Sequence, residues 1–346
     1  DGNAPTPEDV KIISDKDSVY NSDSSLELFF NFTDNESGIA YYEYTVGTAK
    51  CEAGICPSGW DSVIPLTRVD GSVNTVTESG LSLVENESYY LNVRAKNSYA
   101  FSNATSIFYS SSPVIVDTIE PSGGYINYSV GETNVGVIDI DFFAGNDTTS
   151  GVSSNKTVLK YQRAELTDGQ CDSFDSWITL NNSIDTLTDP QTHNFIIPDD
   201  ACYRFSLFVY DKAGNLNQYE RGLVKNVSVD ITPPTNPVFT TEMMITADTT
   251  FSFDWDDSVD HQTGIKHYEY TLFRDFYGDK EEIRSGIITN SHISFTFEPF
   301  NLSNGNPYYL EITAKNNYNV SSDTVLSPSI LYFDTVTPQP LTVVSV

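Results

Sequence analysis

The chain has 346 residues, with 18 basic against 48 acidic side chains and a formal net charge of −30. Nucleic-acid binding is excluded by that balance, since phosphate contacts need clustered Lys and Arg, and direct adhesion to anionic lipid is disfavoured for the same reason. No apolar run approaches the ~18 residues of a membrane span, and no secretion signal opens the chain, so a removed leader or an internal segment of a longer protein is expected.

Taken in order, the chain reads as strand after strand. Leu26–Phe32 alternates apolar and polar residues, a polar loop covers 33–37, and Gly38–Val46 forms a second strand rich in Tyr. The loop from Cys51 to Cys56 leads to 60–64, then to a strand near Val73–Thr77, to Leu83 and to Tyr89. The order recurs in Val137–Phe143, the loop 144–150, Gly151, Val158–Leu166, Trp177–Leu180, His193–Ile197 and Tyr203. It recurs again in Thr250–Trp255, the acidic loop 256–263, Gly264–Leu272, Ile293–Phe297, Leu302 and Tyr308. Helical periodicity with caps is absent, so the class is all-β.

Tyr203–Pro234 shows what repeats. Tyr203, Phe205, Leu207 and Val209 share one face of a strand, the loop Asp211-Lys-Ala-Gly-Asn215 follows, and a second strand is expected over Leu223–Val229 before Asp230-Ile-Thr-Pro-Pro234. Those prolines cannot continue a ladder and act as punctuation. Copies stand at Tyr89–Ser98 with Val116–Pro121, and at Tyr308–Asn317 with Phe333–Pro338, while Asp1–Pro7 opens with the same mark. Intervals of roughly 100 residues suit β-sandwiches better than short solenoid repeats. The expected division is 1–116, 117–229 and 230–333, with 334–346 as a linker and the first strand of a further domain or a donated strand.

These residues carry a family resemblance. The spacing Leu-x5-Tyr-x3-Val-x-Ala at Leu83, Tyr89, Val93 and Ala95 resembles the E-to-F strand signature of fibronectin type III domains. It recurs at Leu302, Tyr308, Ile312 and Ala314, and with conservative departures at Ile197, Tyr203, Leu207 and Val209. Gly38-Ile with Tyr42-Glu-Tyr44, and Gly264-Ile with Tyr268-Glu-Tyr270, are similar to the third strand of that family, and the Asp211–Asn215 loop to that of prokaryotic surface proteins built of such repeats. The resemblance covers essentially the whole chain. It implies three tandem fibronectin type III-like, immunoglobulin-like sandwiches, with the Leu plugging a chain corner and the Tyr hydroxyl bonding back to the backbone there. It fixes no function, because this sandwich serves spacers, adhesins and receptors alike.

Cys51 and Cys56 fall in the first repeat, Cys171 and Cys202 in the second, as domain-local disulfides of an oxidising compartment would. Free thiols or a metal site are the alternatives; there is no CxxC and no neighbouring His to favour a metal. Eleven Asn-x-Ser/Thr sequons, at Asn31, Asn35, Asn86, Asn103, Asn127, Asn146, Asn155, Asn181, Asn226, Asn301 and Asn319, favour an extracellular product carrying N-linked glycans.

No nucleotide, hydrolase or zinc-protease motif is present, and the four His are scattered, so a non-enzymatic role is expected. In a sandwich of the resembled kind, the loops after the second and sixth strands share one end with the incoming linker. Asp117 would then approach Asp147, Asp211 and Asn215, and Asp230 would approach Asp256, Asp257, Asp260 and Asn316. Clustered hard oxygen ligands suit Ca²⁺, which would stiffen a joint in the manner of cadherin linkers; the same residue types also serve simply as turn formers. The functional expectation is a structural repeat segment of a prokaryotic cell-surface protein, assembling with copies of itself or with neighbouring domains into a filament or surface layer. The alternatives are an adhesin or receptor stalk binding glycan or protein through exposed aromatics such as Tyr99–Phe101 or Phe273–Tyr277, and a spacer in a secreted hydrolase.

Overall fold

A computed structural model of the chain describes residues 2–14, 20–21, 24–51, 55–57, 62–99, 105–180, 190–298, 302 and 305–332. Every regular element among them is a β-strand. The cause is local: in Val137–Phe143 the inward residues Ile138, Ile140 and Phe142 alternate with exposed Asp139 and Asp141, and Pro307–Asn316 buries every second side chain along its length. A period of two can bury one face only as a sheet.

Three pairs of sheets form, each around its own hydrophobic cluster. In the first, Thr6–Ile13, Leu26–Thr33 and Thr75–Glu78 make an antiparallel three-stranded sheet. It faces a sheet ordered Tyr20–Asn21, Val114–Val116, Ser88–Asn97, Ile39–Gly47, Ser62–Asp70. The second pair sets Tyr125–Tyr128, Val137–Phe143 and Gln191–Ile196 against a sheet built on Ala201–Tyr210 and Val158–Ala164. The third sets Val238–Phe239, Thr250–Asp256 and His292–Thr296 against a sheet built on Pro307–Asn316 and Ile265–Phe276. That strand order, with a short parallel contact such as Met244–Thr246 on Ile330–Tyr332, is the fibronectin type III-like sandwich.

The corner tyrosines Tyr89 and Tyr203 do what their spacing implies. Tyr89 Oη accepts a hydrogen bond from Val84 N–H at 3.0 Å, and Tyr203 Oη donates to the Asp199 carbonyl at 3.1 Å. Both rings are fully buried.

Two local readings change. The strand expected over Leu223–Val229 is instead two strands, Leu216–Glu220 and Val227–Val229, and Leu223 is fully exposed between them. Val227–Val229 pairs with Ala201–Tyr203, and Leu216–Glu220 with Ser206–Tyr210, so the chain steps away from its partner between the two registers. The strand beginning at Ile265 runs on to Phe276 and turns through Tyr277–Gly278 into an edge strand, Asp279–Ile288, whose side chains are mostly exposed. The 341–346 tail lies outside the described residues.

Candidate functional site

One end of each sheet pair gathers polar groups into the interior, built from two short pieces in the first pair and three in the second and third among the described residues. The first is the loop Asp-x-x-Ser/Thr-Gly, at 34–38, 147–151 and 260–264. Its Asp folds back over the turn: Asp147 Oδ1 accepts from the N–H groups of Ser150 and Gly151, both at 2.7 Å, and Asp260 Oδ1 accepts from Thr263 N–H at 2.8 Å. Its glycine closes the turn with φ of 74°, 80° and 76°, a left-handed conformation that costs other residues about 1–2 kcal/mol.

The second piece is the inward residue at the end of the long central strand: Asn97, Asp211 and Asn316, all buried. Alternation along Pro307–Asn316 puts Asn316 on the core side, the last of the row Tyr308, Leu310, Ile312 and Ala314. The third piece is the linker Asp. Asp117 Oδ1 accepts from Ile119 N–H and Asp230 Oδ1 from Thr232 N–H, both at 3.2 Å, and neither side chain is exposed.

The structure brings Asp117, Asp147 and Asp211 together, one oxygen of each within 4.8 Å of the others. Asn215 straps the linker down: its Nδ2 donates to the Asp117 carbonyl at 3.0 Å and to Asp211 Oδ2 at 2.7 Å. Glu85 of the first pair reaches across to Thr149 Oγ1 at 3.0 Å and holds Thr118 N–H at 2.7 Å. Burial pushes the Asp117 carboxyl up to about 6; the Ser150 hydroxyl and the Ile119 N–H oppose that rise, and the Asp147 and Asp211 charges add to it. Asp211 is also raised, chiefly by burial, against the pull of its Asn215 hydrogen bonds.

The corresponding place in the third pair is wired differently. Asn316 Nδ2 donates to Asp230 Oδ2 at 2.9 Å and to Asp260 Oδ2 at 3.1 Å, and Thr263 Oγ1 donates to Asp230 Oδ2 at 2.5 Å. Burial pushes Asp230 up to about 6, opposed by Thr263, with Asp260 and Asp200 contributing to the rise. Asp256 and Asp257, expected in this cluster, are exposed.

Of the remaining sites, Cys51 is joined to Cys56 and Cys171 to Cys202. Asn31, Asn35, Asn86, Asn127, Asn146, Asn155 and Asn319 are exposed and Asn226 is half-buried, while Asn103, Asn181 and Asn301 lie outside the described residues. Sequence reasoning missed a polar row on the third pair: His292 Nδ1 meets Asp254 Oδ1 at 2.6 Å, and His292 Nε2 meets Ser294 Oγ at 2.9 Å. Asp254 lies opposite His292 in register, both are solvent-accessible, and Ser294 also meets Ser252 Oγ at 2.8 Å. The row is a cross-strand ladder on an exposed sheet face.

No family model matches the sequence, and a comparison with curated proteins found no match. Solved structures that align with the chain include the FN1–FN3 domains of chicken CNTN1, 13% identical over 93% of this chain and 98% of that one, with a TM-score of 0.24. Fibronectin(III)-like modules of Clostridium thermocellum CbhA are 13% identical over 63% of this chain and 99% of theirs, with a TM-score of 0.30. A structure from a 1.5-MDa bacterial ice-binding adhesin is 12% identical over 96% of this chain and 100% of its own, with a TM-score of 0.34.

Proposed function

We propose that the chain is a non-catalytic structural segment of an extracellular, cell-surface protein, whose sandwiches hold neighbouring parts of a filament or surface layer at fixed separation. The observation that carries this reading is how each linker is built into the unit that follows it. Asp117 is fully buried beneath Asp147 and Asp211, Asp230 beneath Asp260 and Asn316, and Asn217 Nδ2 donates to the Pro121 carbonyl at 2.8 Å. A linker fixed by buried hydrogen bonds loses the freedom of a flexible tether and transmits orientation. On this reading the joints divide the chain at 117 and 230.

Two disulfides and seven exposed sequon asparagines support an oxidising, glycosylating compartment, and the formal charge of −30 supports solubility in it. No helix among the described residues is long and apolar enough to cross a membrane. The partners in this reading are copies of the chain or neighbouring domains. N-linked glycans would sit on the exposed asparagines.

A second reading, an adhesin stalk recognising glycan or protein, has one observation in its favour. At the tip of the third pair's hairpin Tyr277 is 89% exposed and Phe276 45%, whereas Phe273, from the same expected patch, is buried. Small-angle scattering with electron microscopy of the natively purified protein separates the two. Ordered filaments or lattices of stiff rods support assembly; isolated beads with freely varying separation overturn it.

A further inference from the structure

The geometry points to a divalent cation site of the Ca²⁺ type at Asp117, Asp147 and Asp211, occupying the first joint and not the second, because in the second joint the Asn316 amide N–H groups give the carboxylates the positive partner that a cation gives them in the first. The inference goes beyond the structural reading above: a chain can be a stiff spacer with or without an ion.

Asp211 and Asn316 hold the same place, and their first oxygens do the same work. Asp211 Oδ1 accepts from Asn215 N–H at 2.8 Å, and Asn316 Oδ1 accepts from Val320 N–H, four residues on in each case, also at 2.8 Å. The difference lies in the other atom. In Asn316 it is a nitrogen that donates to both Asp230 and Asp260. In Asp211 it is an oxygen, so exchange of one residue type removes two donors and adds a charge.

What remains at the first joint is three carboxylates within 4.8 Å of one another, two of them fully buried and Asp147 only 8% exposed. Like charges so placed cannot all stay ionised without a counter-charge. Among the described residues no Lys or Arg pairs with any of the three, and the nearby Lys212 is exposed. Glu85 adds a fourth carboxylate alongside.

An independent observation points to a missing partner. Asp117 Oδ2 is buried and accepts no hydrogen bond, although its side chain is fully enclosed and its carboxylate belongs to the cluster. A buried carboxylate oxygen left unsatisfied is costly, and a bound cation meets that need directly. Hard carboxylate oxygens, with backbone carbonyls and water completing six to eight ligands, suit Ca²⁺ over softer metals.

The test uses the full chain, stripped with chelator, and calorimetric titration with Ca²⁺ at physiological ionic strength, with Mg²⁺ as the comparator. One Ca²⁺ is expected per chain, with a rise in unfolding temperature on binding. Asp211→Asn, which copies Asn316, is expected to fold and to weaken binding by about tenfold or more. Asn316→Asp is expected to raise the number of bound ions from one to two. Binding unaltered in Asp211→Asn overturns the site, as does a wild-type chain that binds nothing. Either failure leaves the spacer reading standing, because scattering in the presence of chelator tests that reading separately.

Discussion

Tyr318 donates its hydroxyl to Ser228 Oγ at 2.6 Å, so a ring rooted in the third sheet pair is buried in the base of the second. Ala164, Leu166 and Cys202 surround it, and Asn134 Nδ2 donates to its carbonyl at 3.0 Å. Ala213 stands at the matching place of the first joint, two residues past Asp211 as Tyr318 is two past Asn316. The second joint is therefore plugged by an aromatic ring where the first offers a methyl group. Tyr318→Ala should remove about 2–4 kcal/mol of coupling between the two pairs, seen as a split in a previously joint unfolding transition and a broader interdomain distance distribution in scattering. Tyr318→Phe should keep the packing and lose only about 1 kcal/mol. A single transition unchanged by Tyr318→Ala would show that the plug does not couple the pairs.

Asp230 predicts a pH response with a definite sign. Its folded value, about 6, lies above the ordinary 3.8, so between those values the native state binds a proton that the unfolded chain has released. Stability should accordingly fall as pH rises through that window and level off above it. Urea midpoints in chelator should be higher at pH 5 than at pH 7. General self-repulsion of an acidic chain acts in the same direction, so the decisive comparison is Asp230→Asn, which should flatten part of the slope. An equal slope in both proteins would remove Asp230 from the account.

Much of this could be read in advance from particular residues. Alternation in Val137–Phe143 and Leu26–Phe32 gives the strands, and Leu83 with Tyr89 gives the corner, because burial on one face leaves a period of two in the sequence. The convergence of Asp117, Asp147 and Asp211 was legible through the repeat. The edge strand Asp279–Ile288 was not, since only Ile283 and Ile288 of its ten residues pack against the core, too few to leave an apolar period. Asp256 and Asp257 were expected beside Asp230 because they open the acidic loop that carries Asp260, yet both side chains are exposed. Tyr318 reads in sequence as one more loop aromatic; only the neighbouring pair shows what it fills.

The two disulfides should matter unequally. Cys171–Cys202 spans 31 residues and Cys51–Cys56 only 5, so the loop-closure argument assigns about 3–4 kcal/mol to the first and about 2 kcal/mol to the second. Cys202 also lines the place that Tyr318 fills. Cys171→Ala with Cys202→Ala should therefore lower the unfolding midpoint more than the Cys51, Cys56 double alanine variant, and should loosen the second joint as well. Hydrogen exchange around Tyr318 measures that second effect; unchanged protection there would confine the disulfide's influence to its own sandwich.

Tyr277 occupies a position its chemistry does not favour. It takes φ of 53° and Gly278 takes 91°, the paired left-handed conformations of a two-residue hairpin turn between Phe276 and Asp279. Asp275 Oδ1 accepts from Gly278 N–H at 2.7 Å, so the turn is held independently of the tyrosine ring. Asn tolerates the left-handed region better than Tyr, and the ring, 89% exposed, contributes little burial beyond its contact with Phe276. Tyr277→Asn should raise stability by about 0.5–1 kcal/mol, while Tyr277→Ala should not. If the hairpin tip is a recognition surface, the same Asn variant should lose binding on a glycan or surface-protein array while gaining in thermal stability, the opposite signs of a residue kept for contact at the expense of its turn. A variant that gains stability and binds as before would leave the ring without a recognition role.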